Sequence, residues 1–469
     1  MKRTQRISFI AALSVLTLSG CASFSQDGGF STVQSTTEQR LNKKVVWARS
    51  DTDRSAISDQ VSALLGEPLT EDSAVQIALL NNPGLQAAYQ ELGISESEVV
   101  QAGTLPNPGF SFGKFRRGDE REIERAFHIN LAKIVFMPIV KDMAARQFRQ
   151  TQTMVTTRIL SLGAQTRKAF YEAVSGKERL TYMRQVKATA ETGADLARRM
   201  ALIGNITKVQ QAREQGFYAD SVLTLTQAIR QQHAAREKLT RLMGLWGAQT
   251  AFELPDRLPD LPDSAEELPE AERTALAQRL DVQSAKRNVE QMAKNLGLTK
   301  VNRFVNVLEF GYSRETSNEA PRRTGYEIGF EIPLFNWSGA KTRMAESIYM
   351  QAVHQAAESA INARSEVREA YVGYRSAYDV ARLYRDEIVP TKQRVSEENL
   401  YRYNGMIIGV FELIADARSQ IAAVDGYIQA LRDFWVAKAD LDMAMIGKPS
   451  LTPMAAAGPS GGGGDGGGH

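Results

Sequence analysis

The chain has 469 residues, of which 43% are hydrophobic and 24% are charged, and its formal net charge is +3 at neutral pH. This length allows two or three ordinary domains. The near-neutral charge gives no support to a nucleic-acid-binding protein. Beyond the N-terminus no run of 18 apolar residues occurs, which excludes a helical membrane span in that part of the chain.

The N-terminus has the layout of a secretory signal peptide over residues 1–20. Lys2 and Arg3 begin it, an apolar stretch covers residues 7–18, and small residues precede Cys21. Leu18-Ser19-Gly20-Cys21 resembles the lipobox of bacterial lipoproteins. That resemblance implies that Cys21 is acylated, palmitate included, and that the mature chain reaches the outer membrane. Cys21 is the only cysteine, so no intramolecular disulfide can form.

Composition divides the remainder of the chain into segments. Residues 21–69 are rich in Ser, Thr and Gln and predict an extended, lipid-anchored N-terminal extension. A proline-rich linker is predicted at 251–270, between a first repeat at 70–250 and a second at 271–448. Residues 449–469 form a glycine-rich tail. The two halves align at an offset of 197 residues, with Gln86 matching Gln283, and this favours an internal duplication.

Each half contains a very long helix. No proline lies between Pro138 and Pro255, and the helix predicted over about residues 139–200 would extend roughly 90 Å. Residues seven apart along each half form an apolar seam, as in a coiled coil. Pro390 predicts a kink or a local unwinding in the second half. The seam residues are Val155, Leu162, Ala169, Met183, Ala190 and Ala197 in the first half, and Val367, Ala370, Tyr374, Ala377, Ala381, Tyr384 and Ile388 in the second.

Four short segments alternate between apolar and polar residues, two in each half. The clearest is GYEIGFEIPLFNWSGA at 325–340, in which Tyr326, Ile328 and Phe330 alternate with Glu327 and Gly329. Such alternation predicts strands with one apolar face. The other three begin near Gly109, Ile123 and Val305, and polar turns join each pair.

The apolar faces of these strands predict a membrane barrel. Strands can cross a bilayer only in a closed barrel, because an open edge leaves unpaired backbone amides in lipid. Four strands are too few, since the smallest barrels have eight. The chain must therefore pool its strands with copies of itself, and an oligomer is required.

In this order the segments resemble the TolC family of outer-membrane factors. The matching motifs are Leu105-Pro106-Asn107-Pro108, Ile332-Pro333-Leu334-Phe335, Ile206-Thr207-Lys208-Val209-Gln210-Gln211-Ala212 and Glu412-Leu413-Ile414-Ala415-Asp416-Ala417, within residues 68–448. The resemblance implies a mainly helical homotrimer, with a 12-stranded barrel in the outer membrane of a Gram-negative bacterium and a 12-helix periplasmic tunnel. It also implies an exit duct that docks a periplasmic adaptor and an inner-membrane transporter, for which an RND-type pump is one candidate.

Catalysis is not expected. His128, His233, His354 and His469 show no ligand spacing with one another or with Cys21, and no phosphate-binding loop occurs. We therefore predict that the chain is not an enzyme and holds no metal or cofactor.

The helix tips are the predicted docking surface for the adaptor, because apolar residues at a tight helical turn suit a partner interface. Glycine and asparagine there tolerate the positive φ of a reversal. The predicted docking residues are Leu202, Ile203, Gly204, Asn205 and Ile206 in the first tip, and Gly405, Met406, Ile407, Ile408 and Gly409 in the second.

Closure of the entrance is predicted to involve Lys208, Phe411 and Glu412. The resemblance implies an acidic residue at the position of Lys208, so the family's particular bonds cannot be carried over. Lys208 could pair with Glu412, contributing about 1 kcal/mol at most. The alternative is that both are solvated tip charges.

The polar strand faces predict an acidic pore lumen that favours cations, formed by Glu124, Glu309, Glu327 and Glu331. NNPGLQAAYQELG and GVFELIADAR resemble members that handle heavy metals, so heavy-metal cations and drugs are the candidate cargoes. Two other functions stay open. A periplasmic adaptor has one helical hairpin with β-rich flanks, and a coiled-coil scaffold lipoprotein leaves the aromatic strands unexplained.

Overall fold

A computed structural model describes residues 23–301, 308–330 and 339–450. The signal peptide, Cys21, Glu331 and the tail after residue 450 lie outside the described residues. The chain divides into two compact units. The sheet unit comprises the described parts of Met1–Asn42, Gly84–Arg158 and Leu280–Ile361. The core unit comprises Lys43–Pro83, Ile159–Arg279 and the described part of Asn362–His469.

The N-terminal extension is helical, so the expectation of an extended conformation is wrong. It contains α1 (Phe30–Leu41) and α2 (Asp51–Leu65). A reciprocal pair of hydrogen bonds between Ser50 and Asp53 caps α2, which buries Ile57 and Val61. These two apolar residues, four apart, were the available signal for a helix in a polar segment.

Each half then begins with two helices separated by a short break. In the first half these are α3 (Glu71–Asn81) and α4 (Pro83–Ala102). In the second half they are α7 (Ala271–Gln278) and α8 (Leu280–Val301). Asn82 and Arg279, the two extended residues at the breaks, are 197 positions apart, which is the offset that aligns the sequences.

The long helices form as expected, although the first begins earlier than predicted. It is α5 (Leu131–Leu202), which continues through Pro138, and α6 (Lys208–Met243) follows it. In the second half, α9 (Gly339–Leu383) passes through a π-helical turn at Tyr384–Ile388 into α10 (Val389–Asn404), and α11 (Val410–Ile446) returns. The local unwinding predicted at Pro390 is confirmed, since the π turn ends at Ile388, two residues before it.

The predicted seam residues are buried or half-buried along both long helices. Val155, Ala169 and Ala197 are almost fully buried in the first half, as are Val367 and Ala381 in the second. Among the described residues, no helix combines the length and apolar character that crossing a bilayer requires.

The four strands form one antiparallel sheet within the sheet unit, in the order β1-β2-β3-β4. They are β1 (Gly109–Arg117), β2 (Glu120–Asn130), β3 (Leu308–Ser317) and β4 (Arg323–Phe330). A two-residue turn with Gly118 at φ 61° joins β1 to β2. Because β2 pairs with β3, the two halves of the sequence share one sheet.

The core unit is held together by an aromatic cluster. Phe434 of α11 is 1% exposed and lies with its ring centroid 5.5 Å from Tyr374 and 5.8 Å from Tyr378, both on α9. Trp435 stacks on Tyr171 of α5 at 5.3 Å. Residues of both hairpins form this core. The proline-rich linker contributes Leu254, Leu258 and Leu261, which are buried in it.

Candidate functional site

The sheet has an aromatic face. The strand register places Phe110, Phe127, Tyr312 and Tyr326 directly opposite one another, in one row across all four strands. Residues opposite each other on antiparallel strands share a face. The next row contains Ile129, Phe310 and Ile328, and all four aromatic side chains of the first row are exposed. The predicted apolar strand face is therefore present, and nothing in the described chain covers it.

The opposite face is acidic. Glu124, Glu309 and Glu327 share it, as the alternation predicts. The register adds Glu315, directly opposite Glu124, together with Glu120 and Glu122. These three glutamates were not predicted, because all three lie in segments that were expected to be turns. The face therefore carries six glutamates against Arg117 and Arg323 among the described residues.

The five glycines of the described strands also lie on the acidic face. They are Gly109, Gly113, Gly311, Gly325 and Gly329. The imidazole of His128 covers Gly109, where an added Cβ would lie 2.0 Å from Nε2. At Gly311, Gly325 and Gly329 a Cβ would meet only ordinary contacts, at 3.7 Å or more. Packing within the sheet therefore does not require glycine at these three positions.

The first helix tip is a short turn whose apolar residues face solvent. Gly204 has φ 78°, and the amide of Asn205 donates to the carbonyl of Met200, which ends α5. Thr207 and Gln210 cap the start of α6 reciprocally. Leu202 is 82% exposed and Ile203 is also exposed, while Ile206 is half-buried.

The second tip has the same hydrogen-bond pattern but a different residue at its left-handed position. Met406 has φ 59°, and the amide of Ile407 donates to Arg402. The expectation that glycine supplies the positive φ is wrong here, since Gly405 and Gly409 have φ −79° and −84°. Met406 is 94% exposed, Ile407 is exposed and Ile408 is half-buried.

The matching caps fix the register between the tips. Met406 corresponds to Gly204, so Lys208 corresponds to Val410, the first residue of α11. Phe411 and Glu412 follow one and two positions later. Lys208 and Glu412 are exposed, and no ion pair joins them within the described chain, so the predicted link between them is absent.

A different pair links the two returning helices. Arg418 of α11 donates to Glu214 of α6 at 2.7 Å, and its guanidinium lies 4.2 Å from the centroid of the Phe217 ring. The Glu214 side chain is only 6% exposed. The sequence did carry a signal for it, because Glu214, Ser221 and Ala228 are seven apart and all buried on α6.

Two further contacts lie farther along the hairpins. Arg179 of α5 binds both carboxylate oxygens of Asp425 of α11, at 2.7 and 3.2 Å. Next to Asp425, Gly426 accommodates the side chain of Tyr384 from the π turn, where an added Cβ would lie 2.7–2.8 Å from two ring carbons and the hydroxyl oxygen. Arg385 donates to the Leu261 carbonyl and binds Asp386, which lowers the pKa of that carboxyl below its usual value.

Metal ligands do not converge in the part of the chain that the structure describes, where no group of three or more His, Cys, Asp or Glu side chains is arranged to hold an ion. The carboxylates of the acidic face are therefore spread along the strands rather than gathered into a chelating site.

Comparison with known proteins gives one curated relative and several solved structures. No family model matches the chain. The cobalt-zinc-cadmium resistance protein CzcC of Cupriavidus metallidurans is 26% identical over 305 residues, which are 63% of this chain and 69% of that protein.

The solved structures are similar along most of the chain. The CusC structure has a TM-score of 0.66 at 16% identity, covering 83% of this chain and 92% of its own. The CmeC outer membrane channel of Campylobacter jejuni has a TM-score of 0.67 at 13% identity, covering 83% and 86%. The open state of the MtrE outer membrane channel of Neisseria gonorrhoeae scores 0.65 at 16% identity, covering 81% and 90%. This chain therefore has the fold of outer-membrane channels.

Proposed function

We propose that this chain is the outer-membrane channel of a tripartite efflux system. The shared fold and the curated relative support its assignment to the outer-membrane factor family, on which the proposal rests. The observation that carries the proposal is the four-stranded sheet with one aromatic and one acidic face. An aromatic face exposed across all four strands suits lipid, and an acidic face suits a water-filled lumen.

Closure of the barrel requires copies of the chain. β1 and β4 are the edges of the sheet, and neither has a second partner strand in the described chain. Because neighbouring strands alternate in direction, β4 of one copy can pair with β1 of the next in the same antiparallel pattern. Three copies would close 12 strands, which is a size that bacterial barrels adopt. We therefore assign a homotrimer in the outer membrane of a Gram-negative bacterium, anchored through acylated Cys21.

The helix tips are the proposed contact with the periplasmic adaptor. Leu202, Ile203, Met406 and Ile407 are exposed apolar residues at two tight turns. Met406 adopts a left-handed conformation that costs free energy for a residue with a side chain. A methionine at a position where glycine would be less strained supports a binding role for its side chain. In this proposal the inner-membrane transporter acts behind the adaptor.

Closure of the entrance is assigned to the Glu214–Arg418 pair rather than to Lys208 and Glu412. The pair joins the returning helix of the first hairpin to that of the second and is largely withdrawn from solvent. Separating the helices would leave the Glu214 carboxylate without this partner. The pair therefore favours the closed arrangement until adaptor binding compensates for its loss.

Heavy-metal cations are the proposed cargo. Two observations support this cargo. The relative CzcC is named as a cobalt-zinc-cadmium resistance protein, and the acidic face carries six glutamates. Three copies of that face would concentrate cations in the lumen, and the absence of a converging ligand set in the described residues favours passage over retention. Drugs are the alternative cargo, which the growth assay below separates.

The direct test is electrical. The purified full-length chain in a planar bilayer should form pores whose reversal potential in a KCl gradient shows cation selectivity. Replacing Glu309 and Glu327 by Gln should reduce that selectivity, whereas Glu67→Gln, an exposed glutamate outside the sheet, should not change it. A protein that forms no pore, or one whose selectivity ignores the two substitutions, contradicts the proposal.

Cargo is tested by growth. A strain that lacks this gene should become sensitive to cobalt, zinc or cadmium and recover when the gene is restored. Sensitivity to dyes and detergents with unchanged metal tolerance would assign drugs instead.

A further inference from the structure

The aromatic face of the sheet changes character toward the turn that joins β1 to β2. Beyond the row of Phe110 and Tyr326, the register continues with Phe112, Arg125, Arg314 and Thr324, then Lys114, Ile123 and Thr316, then Arg116 and Arg121. This end carries five cations, which we call the basic girdle: Lys114, Arg116, Arg121, Arg125 and Arg314.

The girdle has no counter-charge of its own. No Asp or Glu occurs on the aromatic face of the described strands, because all six strand glutamates lie on the other face. None of the five cations forms an ion pair within the described chain. Arg323, which shares the acidic face, does lie 3.9 Å from Glu315. The sheet therefore separates its charges by face.

The arrangement of the arginines is unfavourable without an anion. Arg125 lies directly opposite Arg314, and Arg116 lies directly opposite Arg121. Like charges at opposite positions of an antiparallel pair destabilise the sheet. These opposed charges indicate that an acceptor bearing negative charge belongs between the side chains.

We propose that the basic girdle binds the phosphate groups of lipids in the outer leaflet of the membrane. This inference rests on the proposed function, because the aromatic rows must face lipid for the girdle to reach a headgroup layer. Arginine on a lipid-facing strand is costly at the bilayer centre and nearly neutral near the interface. The girdle begins beside the aromatic row and ends at the turn, which suits the headgroup level. Guanidinium groups bind phosphate oxygens in pairs, and this relieves the repulsion between opposed arginines.

The test compares lipids that differ only in phosphate. The full-length protein is reconstituted in phosphatidylcholine nanodiscs with lipopolysaccharide, with dephosphorylated lipopolysaccharide, or with inorganic phosphate, and bound lipopolysaccharide is counted by native mass spectrometry. The wild type should retain phosphorylated lipopolysaccharide at least fivefold more than the dephosphorylated form. Inorganic phosphate should compete only in large excess, because it lacks the acyl chains.

Matched variants locate the site. Arg125→Gln with Arg314→Gln should lower retention at least fivefold. Arg125→Lys with Arg314→Lys should keep part of it, because the charge is preserved while the paired guanidinium hydrogen bonds are lost. The control is Arg117→Gln with Arg323→Gln, since these arginines lie on the acidic face of the same sheet. Should the first pair fail to assemble, Arg116→Gln with Arg121→Gln tests the second opposed pair.

Two outcomes overturn the inference. Equal retention of both lipopolysaccharide forms by the wild type removes the role of phosphate, and unchanged retention in both girdle variants removes the site. Failure of the proposed function looks different, because the wild type would then not insert into any nanodisc.

Discussion

The two helical hairpins follow one plan but differ in how firmly they are built. In the first, α5 is uninterrupted over 72 residues, and Gly176 lets α6 approach so closely that an added Cβ would lie 3.2 Å from the Cα of Gln232. In the second, a π turn and Pro390 interrupt the outgoing helix, and Gly426 of α11 faces that turn. Helix α10, beyond the turn, has no buried residue. We therefore expect the tip of the second hairpin to change conformation more readily than that of the first.

The largest expected effect on stability comes from removing the buried ring of Phe434 from the aromatic cluster of the core unit. Phe434→Ala deletes a fully buried ring that contacts Tyr374, Tyr378 and Trp435, and should destabilise the protein by about 3–5 kcal/mol. Thermal unfolding of the purified protein measures it. Tyr401→Ala, an exposed aromatic residue on α10, is the control and should change the melting temperature little. Equal effects would mean that both stretches are packed alike.

The next largest effect concerns the Glu214–Arg418 ion pair, which joins the two hairpins. Arg418→Leu leaves the buried carboxylate of Glu214 unpaired and should cost about 2–3 kcal/mol locally. The tip helices should then separate more often, raising pore conductance. Adding Glu214→Leu should recover part of the lost stability, because both charges are then gone.

Lys208→Ala and Glu412→Ala serve as controls for the Glu214–Arg418 pair. Both side chains are exposed, and no ion pair joins them within the described chain. If pore conductance changes in these two variants and not in Arg418→Leu, then Lys208 and Glu412 close the entrance, as the sequence suggested.

Much of this contrast could be predicted from the sequence. Heptad spacing located the seam, and Pro390 located the interruption to within a few residues, because both are local properties of the chain. The alternation of Tyr326, Ile328 and Phe330 likewise identified β4. The contact between Glu214 and Arg418 could not be predicted, because it depends on how α6 and α11 are placed side by side.

A third prediction tests the close contact between Gly426 and Tyr384 of the π turn. Gly426→Ala should push the Tyr384 ring out of its place and cost about 1–3 kcal/mol, despite the better helix propensity of alanine. Hydrogen exchange of amides in α10 should become several-fold faster, while that of α5 stays unchanged. Gly373→Ala is the matched control, because a Cβ there meets nothing within 4 Å. Identical exchange in both variants would show that this contact has no mechanical role.

The smallest effect separates the two tips. Met406→Gly should stabilise the second tip by about 1 kcal/mol, since it relieves a left-handed residue, and Gly204→Ala should destabilise the first by a similar amount. Opposite shifts in local hydrogen exchange check this. Met406→Gly should nevertheless weaken adaptor binding. Stronger binding in that variant would remove the proposed role of the methionine side chain.

The pairing of the strands could not be predicted from the sequence. The alternation placed Glu124, Glu309 and Glu327 on one face without showing which residues lie opposite one another. Only the register sets Glu124 against Glu315 and Arg125 against Arg314, because the β2–β3 pairing joins segments almost 200 residues apart. The acidic face was therefore predictable in part, and the basic girdle was not.

The central claim is that one copy of this chain cannot close its own pore. Electron cryomicroscopy of the full-length protein in lipid nanodiscs tests it most directly. We predict three copies around a continuous water-filled channel, with β4 of each copy paired to β1 of the next and the Phe110–Tyr326 row facing lipid. A single copy with its sheet folded against its own helices, and no passage through the membrane, would contradict the account.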